Sequence, residues 1–238
     1  MKLIIDIGNT AVKVALFEAK ELQKNAVFDK AVLKDMLKFV DNHDISGTII
    51  SSVKDRNAEL EKIINYFQAL FLDYNTILPI QIDYKTPNTL GSDRIAAIVG
   101  ASVLFPNKDV LVLDAGTCLT IDFIGKEKVY KGGRISPGIG MRYKALHQFT
   151  NQLPLCSIST ESLLIGENTH SSIISGVEQG ILSEVREIIN IYKKENKEII
   201  ICVTGRDCFF FENEFKNSIF ADPFLLMKGL NKILDYNE

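Results

Sequence analysis

Four cysteines and three histidines are the only thiol and imidazole side chains in 238 residues, and they are scattered. Cys118, Cys156, Cys202 and Cys208 form no C-x-x-C pair and no Cys/His ligand spacing. Three of them lie in apolar stretches, as small buried thiols do, so they read as reduced cysteines rather than zinc ligands or a disulfide framework. His43, His147 and His170 are remote from one another in sequence, which leaves a Ser-His-Asp triad without support. There is no basic stripe either. With 27 Lys and Arg against 30 Asp and Glu, the net charge of -3 disfavours a nucleic-acid or membrane surface, because few counterions would be released on binding. No apolar run approaches bilayer length, and the opening Met1–Ile5 is too short for the core of a secretory leader, so the expected location is the cytoplasm. Also missing are G-x-x-x-x-G-K-[ST] and the H-R-D and D-F-G signatures of protein kinases. Gly138-Ile-Gly140 lacks the third glycine of a dinucleotide fingerprint and does not directly follow a buried strand, so Pro137-Gly138 reads as a turn.

What is present begins at the first residue. In Met1-Lys-Leu-Ile-Ile-Asp6-Ile7-Gly8-Asn9-Thr10-Ala11-Val12-Lys13, an apolar strand ends in a carboxylate, a glycine and a hydroxyl, and an alternating strand then resumes. Two readings fit. Backbone N–H groups at Gly8, Asn9 and Thr10, with the Thr10 hydroxyl and Lys13 ammonium, can cradle a phosphate, while Asp6 suits a hydrated Mg2+. Equally, the segment can be an ordinary hairpin with an Asn-Thr turn. Repetition favours the first reading. Residues 110–121 run Val-Leu-Val-Leu-Asp114-Ala-Gly116-Thr117-Cys-Leu-Thr-Ile, the same order one residue shorter. Two halves that start alike imply two similar lobes whose turns converge on a shared cleft. A chain that is 46% hydrophobic and 24% charged, at this length, can bury a core in each.

Periodicity fills in the lobes. Helices are expected at Lys30–Asn42, Asn57–Leu72 and Ser92–Phe105, with strands at Gly47–Val53 and Thr76–Ile82. Third strands are expected at Asn25–Phe28 and Lys128–Lys131. Pro106-Asn-Lys-Asp109 is the expected junction, dividing lobes 1–106 and 107–238. Beyond it a glycine-rich loop, Gly132 to Gly140, leads into a helix at Met141–Phe149. One or two helices follow within Asn168–Glu195, then a strand at Glu198–Thr204 and a helix at Pro223–Leu234. A strand meander followed by alternating helices and strands means α/β lobes.

The polar run Asp83-Tyr84-Lys-Thr-Pro-Asn-Thr-Leu-Gly91-Ser92-Asp93-Arg94 leads into the third helix. Ser92 and Asp93 suit a helix N-terminus by capping and by the macrodipole. Arg94 opposes that dipole. It is either a solvated side chain or the holder of an anion such as a substrate carboxylate, which its fork grips at two points.

Asp6-Ile7-Gly8-Asn9-Thr10, Leu90-Gly91-Ser92-Asp93-Arg94, Asp114-Ala-Gly116-Thr117, Gly132-Gly-Arg-Ile-Ser-Pro137-Gly138 and Gly166-Glu-Asn-Thr169 followed by Ser175-Gly176 occur in that order. The set resembles that of the type III pantothenate kinases, of the acetate and sugar kinase, Hsc70 and actin superfamily. The likeness implies two ribonuclease-H-like, actin-like ATPase lobes with a cleft between them. It also implies a cytoplasmic homodimer that moves the γ-phosphoryl of ATP to pantothenate, giving 4′-phosphopantothenate. By that likeness Asp6, Ile7, Gly8, Asn9, Thr10, Ala11, Val12 and Lys13 form the ATP phosphate loop, joined by Thr117. Asp114 holds K+ or NH4+, and Mg2+ accompanies ATP. Tyr84, Gly91, Ser92, Asp93, Arg94 and Thr169 hold pantothenate, with Asp93 as proton acceptor.

Such roles suit the chemistry. Phosphoryl transfer has a loose transition state, so orienting the nucleophile matters more than strong basicity. One departure stands out. Where the family carries Thr-Gly-Gly, this chain has Thr204-Gly205-Arg206, and Arg206 would stack on adenine, hold a phosphate or narrow the pocket. A non-catalytic nucleotide-binding regulatory protein of the same fold is the alternative, disfavoured because such a protein need not retain a proton acceptor.

Overall fold

A computed structural model describes residues 1–159 and 163–238. The chain divides into two compact units. The first comprises Met1–Lys108, Phe123–Gly132 and Phe224–Glu238, and the second Asp109–Asp122 and Gly133–Pro223.

In the first unit β1 (Lys2–Ile7), β2 (Val12–Glu18) and β3 (Glu21–Phe28) form the expected meander. Then follow α1 (Leu33–Val40), β4 (Gly47–Ser52), α2 (Ala58–Phe67) and β5 (Leu70–Phe71), and the sheet order is β3-β2-β1-β4-β5. Leu3, Ile5 and Ile7 of β1, with Val12, Val14 and Leu16 of β2, pack on Met36, Phe39, Leu60 and Ile63 from α1 and α2. Each such fully buried side chain contributes about 1.5–3 kcal/mol. The two-residue period of a strand then sends Asp6, Lys13 and Ser51 to the opposite face. Asn57 starts α2 by accepting from Leu60 N at 3.0 Å, and Gln68 ends it in a left-handed conformation.

One two-residue strand, β6 (Gln81–Ile82), leads onward to α3 (Ser92–Leu104). Residues 76–80, expected as strand, are bend and coil, so only the last two residues of the expected strand, Gln81 and Ile82, pair. Helix α3 is buried from Arg94 through Ser102, which explains its continuous apolar sequence.

The second unit is built around β7 (Val110–Ala115), most of β8 (Cys118–Ile124) and the later half of β9 (Val129–Pro137), then α4 (Ile139–Gln148), α5 (Thr169–Glu195), β10 (Ile200–Thr204), α6 (Cys208–Phe215) and β11 (Phe220–Ala221). The six-stranded sheet runs β11-β10-β7-β8-β9-β6, of which β6 and the first half of β9 are counted with the first unit. Apart from the added β6, this repeats the first order element for element, with β10 in the place of β4. The stretch 132–137, expected as a glycine-rich loop, is the far end of β9, because sheet pairing overrides the weak strand preference of glycine. One uninterrupted α5 starts on a capping box between Asn168 and Ser171. Buried Tyr143 of α4 donates to Glu178 of α5 at 2.8 Å, and the same carboxylate oxygen accepts from Ser159 N at 2.9 Å.

The last helix, α7 (Leu225–Asn237), belongs to the first unit and packs along α3. A Cβ on Gly229 would collide with Ala96 O, so the two helices touch backbone to backbone.

Candidate active site

The first unit gathers most of the predicted residues. Strand β1 ends at Ile7, which pairs with Val12, and Gly8 N donates to Ala11 O at 3.0 Å to close the turn. Asn9 and Thr10 are exposed at its tip. Asp6 is only 4% exposed. Across the sheet it stands opposite Lys13 on one side and Ser51 on the other. A lysine directly across an antiparallel pair brings positive charge to the same face as the carboxylate.

Ser51 connects this loop to the first turn of α3. Fully buried, its hydroxyl donates to Ser92 Oγ at 3.0 Å, and Ser92 Oγ donates to Ser52 O at 3.2 Å. The first turn of α3 is thereby fastened to the end of β4, beside the strand that carries Asp6. Asp93 follows, half-buried, with Oδ1 accepting from Arg94 N at 2.7 Å. A Cβ on Gly91 would stand 2.5 Å from that oxygen, so glycine there leaves the carboxylate its room.

Arg94 is not a solvated side chain. It is 7% exposed, and its Nη2 donates to Tyr130 Oη at 2.8 Å. Half-buried Tyr84 lies nearby, with the Arg94 guanidinium carbon 5.9 Å from its ring centre. A cavity of about 370 Å³ in this unit lies on the other sheet face. Ile7 and Val12 line it together with Lys30, Lys54 and Asn57, and none of residues 91–94 does.

The second unit carries the rest. Asp114, one residue before the end of β7, stands opposite buried Thr204 of β10, the counterpart of Asp6 opposite Ser51. Gly116 N donates to Cys118 O at 3.0 Å to form the turn, and Thr117 is exposed on it. Gly138 N, at the start of α4, donates to Thr117 O at 3.1 Å, which directs the positive end of that helix at the turn. Gly205 has φ +90°, a conformation side chains avoid, and a Cβ there would lie 2.5 Å from Ala115 O and collide with Asp114 Oδ1. The carboxylate thus sits in a cradle that only glycine leaves open. Arg206 points along Asp207, with Nε 3.1 Å from Oδ1, and this bond raises the guanidinium pKa further. Thr169 stands elsewhere on this unit, exposed at the first residue of α5.

Two residues escaped the sequence reading. Ser51 was signalled only by hydroxyls ending an otherwise apolar strand, and Tyr130 only by an aromatic two residues before Gly132-Gly133. Among the described residues no cluster of three or more His, Cys, Asp or Glu side chains could hold a metal by itself. Asp114 offers a carboxylate with the Ala115 main-chain oxygen close to the same Gly205 position, oxygen donors of the kind that suit a hard cation.

A family model for type III pantothenate kinase matches residues 2–191. A type III pantothenate kinase of Bacteroides fragilis is 45% identical over 242 residues, covering 100% of this chain and 98% of its own. One from Cytophaga hutchinsonii is 42% identical and covers 100% of both. Among solved structures, a conserved Campylobacter jejuni protein bearing a Baf family name aligns with TM-score 0.65 at 23% identity, covering 99% of this chain and 98% of that one.

Proposed function

The chain belongs to the type III pantothenate kinase family, and from that premise we propose how its residues divide the work. It is an ATP-dependent kinase that phosphorylates pantothenate to 4′-phosphopantothenate, the entry to coenzyme A synthesis, and its fold is the α/β fold of the actin-like ATPases. The phosphate loop from Asp6 to Lys13 binds the ATP phosphates through main-chain N–H groups and the Thr10 hydroxyl, and Thr117 adds a second hydroxyl. Arg94 receives the pantothenate carboxylate. Tyr84, Gly91, Ser92 and Thr169 complete the acceptor site.

Asp93 accepts the proton of the primary hydroxyl as that oxygen bonds to the γ-phosphorus. The bond from phosphorus to the β–γ bridging oxygen breaks, and ADP departs. A helix N-terminus favours the anionic form of a carboxylate, which is the form that accepts. The observation that supports this assignment best is the Ser51–Ser92 hydrogen bond, since it fastens the acceptor turn to the strand neighbouring Asp6.

Asp114 and the Ala115 carbonyl, crowded beside Gly205, fit a monovalent cation such as K+ or NH4+, and Asp6 fits the Mg2+ that accompanies ATP. When bound, such cations compensate charge between carboxylate and phosphate oxygens. We further propose a cytoplasmic homodimer. Supporting it are Phe149, Leu164 and Ile165 of the second unit, 83%, 79% and 79% exposed. Among the described residues no helix is long and apolar enough to cross a membrane.

The test is ADP release with a panel of alcohol acceptors, in K+ and in Na+ buffers. We expect turnover with pantothenate and a faster rate in K+. A faster acceptor than pantothenate would overturn the assignment of the site, and equal rates in both salts would overturn the cation role of Asp114.

A further inference from the structure

We propose that Arg206 is a nucleotide-recognition residue whose guanidinium plane is the platform on which the base of ATP stacks; this rests on Thr117 holding a nucleotide phosphate. The sequence leaves Arg206 three uses, stacking on adenine, holding a phosphate or narrowing the pocket, and the geometry favours the first. Residues 205–207 wrap the end of β7. Gly205 is backed onto Asp114 and Ala115 at φ +90°, and Asp207 N donates to Ala115 O at 2.9 Å. Arg206 therefore emerges from a fixed point beside the Thr117 turn, within the second unit. Its side chain then runs to the first turn of α4, where a Cβ on Gly140 would stand 3.7 Å from Nη2. The residue that touches the turn is Gly138, whose N donates to Thr117 O and whose Cβ position lies 2.6 Å from that oxygen. Gly140 lies two residues further along, so the guanidinium stands beyond the turn itself. The part of ATP that reaches it is the nucleoside attached to a phosphate on Thr117.

Asp207 decides what the guanidinium offers. Its side chain is 9% exposed and accepts from Nε at 3.1 Å and from Nη2 at 3.4 Å, while the Arg206 side chain is 63% exposed. Two contacts to one carboxylate hold the guanidinium in a set plane. The same carboxylate offsets the positive charge, so a phosphate would meet a cation already paired, with an anion directly behind it. Stacking loses little by that pairing, because a flat guanidinium packs on an aromatic ring through its face as well as its charge. A plane fixed in advance also spares the bound nucleotide the cost of ordering a long side chain.

The experiment measures KM for ATP and kcat, at saturating pantothenate, for wild type, Arg206→Gly, Arg206→Lys and Thr117→Ala. KM does not depend on how much of a preparation is folded. Glycine removes both the plane and the charge, whereas lysine keeps the charge alone. We expect both Arg206 variants to raise KM for ATP about threefold to fivefold, the scale of one such contact at an exposed site, with kcat unchanged because the base takes no part in the bond changes. A lysine variant with the wild-type KM would mean charge acting on a phosphate, and a glycine variant with a lower KM would mean an obstruction. Either result overturns the proposal. If Thr117→Ala raises KM for ATP while both Arg206 variants match wild type, Thr117 keeps its phosphate and Arg206 has no role. If Thr117→Ala leaves that KM unchanged, the nucleotide is not on this turn and the platform falls with that assignment.

Discussion

Replacing Gly205 by Ala tests the cradle around Asp114. The added Cβ would stand 2.5 Å from Ala115 O, and real Cβ atoms essentially never approach within 3.0 Å. The carbonyl must therefore recede by about 0.5 Å or more, because a close-packed interior offers no slack. The Asp114 carboxylate, whose Oδ1 lies even closer to the new atom, must turn away as well. A non-glycine residue held at φ +90° adds strain of about 1–3 kcal/mol. That is below the roughly 5–15 kcal/mol by which domains are stable, so the variant folds, melting lower by about 2–4 °C per kcal/mol. Displacement on this scale next to reacting groups costs about tenfold to a hundredfold in rate. We expect kcat to fall by that factor and the K+ concentration for half-maximal rate to rise. The assay is steady-state ADP release across a K+ titration, with circular dichroism to confirm folding. A folded variant with wild-type kcat and an unchanged K+ midpoint would refute the assignment of Asp114 as the cation ligand.

Ser51→Ala removes one buried hydrogen bond while Ser92 keeps its bond to Ser52 O, so a loss of about 1 kcal/mol in stability is expected, checked by urea denaturation. The same variant should lower kcat several-fold by loosening the first turn of α3, and an unchanged kcat would remove Ser51 from the positioning of Asp93. Tyr143 gives a pH dependence. Burial first, then its hydrogen bond to Glu178, pushes its phenol well above the ordinary value of 10.0. Folding thus retains a proton that the unfolded chain releases, so this contribution to stability is whole below about pH 10 and is lost as pH rises beyond it. Melting temperatures measured from pH 9 to 11 should fall more steeply for wild type than for Tyr143→Phe, and parallel slopes would contradict the burial of that hydroxyl.

Local signals made the two phosphate-sized turns legible. Asp6 and Asp114 each end a continuous apolar run, which marks a strand buried on both faces, and a glycine and a hydroxyl follow at once. Helix α3 was equally plain because its apolar run starts beside Gly91 and stops before Pro106. Ser51 and Tyr130 were hidden because their contacts depend on register. Only the parallel pairing of β1 with β4 brings Ser51 beside Asp6, and only that of β6 with β9 brings Tyr130 to Tyr84. Neither pairing leaves a mark in the sequence around those residues. Helix α6 opens with Cys-Phe-Phe-Phe, a run without period, which is why no element was expected there. The membership of α7 in the first unit is likewise a matter of packing, carried by Gly229 against Ala96, not of chain order.

The central claim is that the carboxylate on the first turn of α3 receives the acceptor proton. Turnover of pantothenate by Asp93→Asn, at saturating ATP, measures it most directly. The isosteric amide keeps the local shape and cannot accept as an anion, so kcat should fall by about 10²-fold or more while KM for ATP is unchanged. A variant that phosphorylates pantothenate at the wild-type rate would contradict it.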